Sequence, residues 1–520
     1  MALTDTRPET GTDATSVAPS VVPSPLTIFG SGDHKAVGTF YVLAALVFGI
    51  AGWIATALAS AHIVGSGSFL SETAGTQLLQ TSKIGLILLV IVPLFLGIAT
   101  YIVPLQVGAS TVAFPRAAAA AMWTWLLSSG VFVVASFIEG GFGGVRAKSV
   151  SLTLLALGGL IVALLLGTVC VLTTAITLRT PGMTLDRVPM FTFSMLVGGA
   201  IWMLTLPVLF ANLLLIWVDH RYGGSTVFGA SEIQFAQVSW ITHQPQIYAF
   251  LIPGLGIVAD VVATLTGARL GKRNLLLTAI GAFGVLSVGA WAQAAIYPSF
   301  SEDLVWQAMG VLALLPLLLL LGGIAAAFKD GKPSLKSPLG LAVVSIVLTL
   351  LGVFAGALLA ITPLELRATN FFANGQAILV LGAALAAGAA GIGYWGPKMT
   401  GGQLADGIGK LNVLVLLGGG ILGGVSLSVV GFSTRFSGLS GAQDTLVVIS
   451  VIGSALFAIG CLLVILGLAS GARKGAPEAG DDAWGTGQTL EWACPSPPPT
   501  GNFGDLAVVR SPEPLLDEEA

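Results

Sequence analysis

Charge is what this chain has least of. Only 9% of its 520 residues are charged, with 22 Lys and Arg against 25 Asp and Glu. Soluble globular chains carry about 25% charged residues, so a string of soluble domains is excluded. The net charge of −3 comes with no basic patch, and no nucleic-acid partner is expected. Cysteine is scarce too. Cys170, Cys461 and Cys494 form no C-x-x-C or zinc-type cluster, and the two within apolar runs read as packing residues. Histidine is limited to four positions, His34, His62, His220 and His243. The first 35 residues, rich in Thr, Ser and Pro, lack the basic start and short apolar core of a cleavable signal. They read as a disordered tail.

What the chain does have is apolar length. Fifty-five per cent of its residues are hydrophobic and its mean hydropathy is +0.92. About 20 apolar residues cross the hydrocarbon of a bilayer. Runs of that kind fall near 38–60, 84–106, 117–139, 152–177, 190–217, 237–262, 275–297, 304–327, 338–361, 371–395, 410–431 and 444–471. In lipid each must be a helix, because every backbone polar group needs a partner inside its own segment. The 68 glycines suit close helix packing, where small residues let backbones approach. The expected fold is therefore an all-α integral membrane protein with twelve transmembrane helices over 36–472, between a tail at 1–35 and another at 473–520. An even number of spans puts both termini on one side. Sixteen of the 22 basic residues then share the face of the termini, and the positive-inside bias makes that face cytoplasmic. The predicted location is a bacterial inner membrane, with the lipid bilayer itself as one partner.

One stretch invites a functional reading: WITHQPQIYAFLIPGLG, 240–256. An ionisable residue heading an intramembrane helix is a functional candidate by default. His243 is that residue, and whether it is a ligand depends on its neighbours.

Several motifs carry a resemblance. GDHKAVGTFYV (32–42), YIVPLQVGASTVAFPR (101–116), YWGPKMTGGQLADGIGKLN (394–412), GTGQTLEWACPSPPPTGNF (485–503) and the WITHQPQIY stretch are similar to the helix ends, loops and tail of subunit I of the haem–copper cytochrome c oxidases. The resemblance runs from about residue 30 to 505. It implies a twelve-helix bundle of the subunit I type that usually holds two haems and copper through six histidines, imidazole being a natural ligand for both metals. Four histidines cannot supply six.

Taken position by position, the resemblance places a different residue at every ligand. The family's sixth helix reads W-x-x-G-H-P-E-V-Y. Here Gln244 stands at the copper ligand, Gln246 at the proton-carrying Glu, and Tyr248 is retained. His243 is displaced by one residue, about 100° around a helix. The family's paired copper histidines on the seventh helix become Gln293 and Ala294. The low-spin haem ligand of the second helix, placed by the spacing of Pro93 and Pro104, becomes Ser82. The haem ligands of the tenth helix become Gly375 and Ala377, or Asn374 and Gln376 if the register shifts by one. Thr111 replaces the acid of the proton-entry loop, the eighth helix has no proton-path lysine, and LRAT (366–369) stands for L-H-D-T. Arg435 sits where a pair usually holds haem propionates. No haem, copper or other metal is expected, and no catalytic residue.

The bland account of each remaining histidine is a solvated or hydrogen-bonded helix end: His34 as a cap, His62 and His220 in water, His243 near the outer interface. Gln244 and Gln293 are expected to face each other between the sixth and seventh helices, where an interhelical amide bond contributes about 0.6–2 kcal/mol. Three functions remain open. One is a non-catalytic pseudo-oxidase subunit or assembly partner beside other respiratory-complex membrane subunits. Another is an active terminal oxidase passing electrons from cytochrome c to dioxygen. The third is a binding or transport protein holding a small hydrophobic molecule in the vacated haem pocket.

Overall fold

The computed structural model describes residues 32–64, 70–144, 146–223, 228, 230, 233–293, 304–367, 370–436, 442–504, 506 and 508–517. Of the disordered tail expected at 1–35, residues 1–31 lie outside them, whereas His34 and Lys35 already belong to the first helix. Among the described residues there is no strand, and ten helices are long and apolar enough to cross a membrane. They are α1 His34–His62, α2 Ala74–Gln106, α3 Pro115–Gly140, α4 Ala147–Thr177, α5 Met190–Gly223, α8 Leu304–Asp330, α9 Ser337–Ala360, α10 Asn370–Thr400, α11 Asp406–Thr434 and α12 Gln443–Ala472. Between α5 and α8 lie two shorter apolar helices, α6 Ile252–Thr266 and α7 Arg273–Leu286.

The shortening of α6 and α7 departs from the runs read at 237–262 and 275–297. Pro245 has no N–H to continue a helical ladder, and the chain before α6 runs through 3₁₀ turns at Ser239–Thr242 and Gln246–Phe250. Beyond α7, the Gly289 amide donates to Gln246 Oε1 at 2.9 Å in place of a helical carbonyl. Both interruptions fall on the same patch of the interior.

Neighbouring helices pair in chain order, α1 with α2, α3 with α4 and α4 with α5, while α9 packs along α10 and α12 returns beside α1. From residue 84 onward α2 is almost wholly buried, as are α6 and α10, and all three are mainly apolar there. Outer helices bury one side and expose Leu127, Phe137, Leu204 and Leu414 on the other. An apolar exposed face on a helix of this length is what a bilayer requires.

The middle of α2 is a π-helical turn, Leu86–Ile91, in which the Val92 amide reaches back to Ile87 O. The next amide in that register would bond Leu88 O, but residue 93 is proline. Trp125 Nε1 on α3 takes its place, donating to Leu88 O at 3.1 Å. The proline vacancy is thus filled by a neighbouring helix.

At the end of the bundle where α1 starts and α12 finishes, the C-terminal tail folds under the helices. Lys398 Nζ donates to the carbonyls of Asp481 and Cys494, and Asn502 Nδ2 reaches Ala109 O at 2.8 Å. Glu491 is fully buried, and its Oε1 accepts from Gln106 Nε2 at 3.0 Å and Trp395 Nε1 at 3.1 Å. Cys170, Cys461 and Cys494 are all buried and unpaired, as packing residues should be, and burial pushes the Cys494 thiol up to about 11.

Two outcomes follow. Trp125→Phe orphans Leu88 O inside the bundle and should lower stability by about 1–3 kcal/mol, read as a lower unfolding temperature in detergent. Burial, opposed by the bonds from Gln106, raises the pKa of Glu491 above the usual carboxylate range. The folded chain then holds this proton to higher pH than the unfolded chain does, so the contribution is present at low pH and is lost as pH rises through the raised value. Glu491→Gln should flatten the fall of unfolding temperature with pH; an unchanged slope would contradict it.

Candidate functional site

The first group of positions picked out by the sequence lies where the turns at 239–251 meet α8, α9 and α10. Gln244 is buried, and its Oε1 accepts from Tyr248 Oη at 3.0 Å. Gln376 Nε2 on α10 donates to the same phenol at 3.5 Å. Trp306 Nε1 on α8 donates to Gln244 O at 3.2 Å, and among the described residues Gln244 Nε2 has no partner. Glycines close this space. A Cβ at Gly356 on α9 would lie 1.8 Å from Tyr248 Oη, and one at Gly310 on α8 would lie 3.0 Å from Gln244 Nε2. The Phe283 ring sits 5.8 Å from that of Tyr248.

Gln246 is equally buried and points elsewhere. Its Nε2 donates to Thr205 Oγ1 on α5 at 3.1 Å, and its Oε1 accepts the Gly289 amide. An amide has both a donor and an acceptor, so it ties two elements that a carboxylate could not tie without a proton. Gln293 does not meet Gln244 as expected from facing helices. Because α7 ends at Leu286, Gln293 lies in a non-helical turn and donates to Ala290 O at 2.7 Å. Ala294 lies outside the described residues.

The second group lies among α1, α2, α10, α11 and α12. Ser82 is buried and donates to Leu79 O of its own helix at 3.1 Å. Beside it, Lys83 Nζ donates to Asn374 Oδ1 on α10 at 2.5 Å. Gly375 is pressed against α11, where a Cβ would meet Ser428 Oγ at 2.5 Å and Gly424 O at 2.6 Å. Ala377 borders a cavity of about 20 Å³, lined also by Thr56, Ser60, Lys83 and Asn374, which is room for about one water. Deeper in, Trp53 stacks on Phe457 at 4.3 Å, and Gly382 faces Phe457 Cζ so closely that a Cβ would lie 2.4 Å from it. A π-helical turn in α11, Gly420–Val425, brings Gly423 against Gly453 of α12, where a Cβ would lie 2.0 Å from the Gly423 amide nitrogen.

The histidines are scattered. His34 at the start of α1 is buried, not merely capping. Its Nδ1 lies 3.5 Å from Thr111 Oγ1 and its Nε2 lies 3.4 Å from Asn502 Nδ2, so Thr111 lies beside the tail. His62 and His220 are half-buried, not solvated: His62 leans on Gly75 of α2, and His220 Nε2 lies 3.2 Å from Ala147 O. His243 is half-buried and hydrogen-bonded, with Nδ1 2.7 Å from Ser239 O, and its extended backbone takes it out of any helical register. Among the described residues, no three His, Cys, Asp or Glu side chains come together as metal ligands. The Arg435 side chain lies outside the described residues. Arg367, from LRAT, places its guanidinium 3.8 Å over the Trp306 ring, and burial lowers its pKa to about 10, leaving it a cation at neutral pH.

The family model described as Cytochrome C and Quinol oxidase polypeptide I matches residues 36–473. The chain belongs to this family. It is 29% identical to a Streptomyces avermitilis protein named "Probable cytochrome c oxidase subunit 1-alpha", over 93% of this chain and 88% of the relative. It is likewise 29% identical to a Nocardia farcinica protein named "Probable cytochrome c oxidase subunit 1-beta", over 93% and 87%. A Corynebacterium efficiens protein named "Cytochrome c oxidase subunit 1" is 28% identical over 93% and 88%. This member of the oxidase polypeptide I family is therefore a multi-pass membrane protein, with ten helices long and apolar enough to cross a bilayer among the described residues.

Two polar clusters escaped the reading of the sequence. One is Lys83 with Asn374. The other joins Asp260 on α6 to Glu491 through Gln106: Gln106 Nε2 lies 3.3 Å from Asp260 Oδ2, and Asp260 accepts the Met190 and Phe191 amides at the start of α5, both at 3.0 Å. A carboxylate suits the positive end of a helix. The available signal was a lone acid inside the apolar run GIVADVV.

Gly356→Ala should destabilise this family member by about 1–3 kcal/mol through overpacking. Adding Tyr248→Phe, which removes the obstructing hydroxyl, should restore part of that loss. Unfolding temperatures of the single and double variants would check the coupling, and additive losses would place the clash elsewhere.

Proposed function

We propose that this chain is a non-catalytic member of the oxidase subunit I family, a membrane subunit or assembly partner of a bacterial respiratory complex. It crosses the inner membrane twelve times with both termini in the cytoplasm, and α6 and α7 belong to the two spans in which the α-helix is interrupted. The observation that carries this reading is the content of the two places where the family's metals would sit. The residues at the ligand positions carry no imidazole, and they do not fit a haem or a copper ion. Ser82 and Gln293 bond their own backbone, Gly375 abuts α11, and Gln244 is engaged by Tyr248. Ligand pockets of drug-like molecules span about 300–1,000 Å³, against the 20 Å³ beside Ala377. This also weighs against a sizeable hydrophobic ligand there.

Dioxygen reduction draws its electrons through bound metals, so the cofactor and not the fold supplies the chemistry. The buried tail, by contrast, is retained in full detail around Glu491, Lys398 and Asn502. Respiratory-complex subunits that meet this end of the bundle would find it intact. A second reading, an active terminal oxidase, draws its support from the names of the relatives.

Haem and copper content decides between them. The purified protein should carry far less than one haem and one copper per chain, by pyridine haemochrome spectrum and elemental analysis, and should show no cyanide-sensitive oxygen uptake. Stoichiometric haem with copper would overturn the proposal. Co-purification under mild detergent should retrieve other respiratory membrane subunits.

A further inference from the structure

Beside Ser82, among helices otherwise packed with apolar side chains, stands a cation. Lys83 on α2 sends its Nζ to Asn374 Oδ1 on α10 at 2.5 Å. Among the described residues Lys83 makes no ion pair, and no carboxylate borders the cavity of about 20 Å³ that it lines. An ionisable side chain inside a membrane protein is costly without a counter-charge, and its partner points to function. The side chains around Lys83 do not supply that partner.

The other polar walls of the cavity hold donors with nothing to bond. Thr56 and Ser60 lie one turn apart on the same face of α1. Thr56 Oγ1 turns back to Gly52 O at 2.9 Å, the ordinary choice of a hydroxyl inside an apolar helix. Ser60 is buried and makes no such bond, and among the described residues its hydroxyl has no partner. Asn374 is buried as well. Its Oδ1 is taken by Lys83, and its Nδ2 has no partner among the described residues. A lysine ammonium carries three N–H groups, of which Asn374 engages one. Lys83, Asn374 and Ser60 thus bring N–H and O–H groups from three helices to one small space, and Leu79, Leu86 and Ile378 wall the rest.

We infer that this cavity binds a single monatomic anion of the size of chloride. The anion lies against Lys83 Nζ and accepts from Ser60 Oγ and Asn374 Nδ2, so the cation gains a counter-charge and both idle donors are satisfied. Volume sets the size of the ion. A space of about 20 Å³ has room for about one water, so a monatomic ion fits where sulfate or phosphate does not. The lining sets its charge: with no carboxylate at the cavity and the Asn374 carbonyl already engaged, little is left to hold a cation. The bound ion ties α1 to α2 and α10 at the end of the bundle opposite the tail, where α1 finishes and α10 starts. Such a site exists only if no haem occupies this region, as proposed above.

The full-length protein in detergent, exchanged into gluconate and dialysed against radiolabelled chloride, should bind it saturably at one ion per chain. Its unfolding temperature should rise when chloride or bromide replaces gluconate at constant ionic strength, and should not rise when sulfate does. Lys83→Met, which keeps the length of the side chain and removes the charge, should lose both the bound chloride and the rise. Ser60→Ala should keep the fold and weaken chloride binding about tenfold, the loss of one hydrogen bond to a charged group. Absence of saturable chloride from haem-free protein, as a water in the cavity predicts, would overturn the inference. So would binding undiminished in Lys83→Met, which places the ion elsewhere, or an equal rise in sulfate, which assigns the effect to surface charge. Stoichiometric haem in the pyridine haemochrome spectrum of the same sample would overturn the site together with the reading that this region holds no haem.

Discussion

Backbone contact between glycines governs the interior of this protein. Gly423 and Gly453 bring α11 onto α12, and Gly424 and Gly375 bring α11 onto α10. In lipid, helices gain little from burying apolar surface against one another, and close approach supplies the packing instead. Once these three helices touch, the space they share with α1 and α2 shrinks to what Trp53 and Phe457 fill, plus a water-sized cavity beside Ala377. A void the size of a large cofactor would forfeit packing across its whole lining. The chain avoids it by drawing helices together, with Gly356 and Gly310 doing the same around Gln244 on the other side of α10.

The same solvent imposes a second requirement, that buried polar groups find partners inside the protein. Glutamine meets it well. Gln246 joins α5 to the turn beyond α7, and Gln106 joins Asp260 to Glu491. Trp125 meets the same need for a carbonyl that proline leaves bare. Among the described residues the requirement is not met everywhere: Tyr41 Oη, Trp53 Nε1 and Gln244 Nε2 are among the buried side-chain atoms without a hydrogen-bond partner.

Much of the architecture was legible in residue order. Runs of about 20 apolar residues locate nine of the ten long helices to within about six positions, because hydrocarbon thickness dictates their length, while α2 starts at Ala74, well before the run read at 84–106. The runs at 237–262 and 275–297 misled, since apolar composition does not distinguish helix from buried turn. The decisive features there are the missing N–H of Pro245 and a side-chain acceptor, Gln246, reaching a backbone amide at Gly289. Facing glutamines were expected at Gln244 and Gln293 on the assumption of two continuous helices, and that assumption failed with α7. His34, His62 and His220 were read as capping or solvated, yet the structure buries each wholly or in part, because the tail, Gly75 and Ala147 approach from elsewhere in the chain.

Composition and spacing alone decide that this chain lives in a membrane, that most of its long apolar runs are helices, and that it has four histidines in all. Each of these rests on local chemistry: hydropathy per residue, the length of a run, the identity of a side chain. Tertiary structure alone decides what occupies the interior instead. Which glycines touch and which amide satisfies which donor depend on residues far apart in the chain, as with Gly375 and Gly424 or with Gln106 and Glu491. No local pattern encodes those distances, because they are set by how helices settle against one another once the bilayer has fixed each one's length.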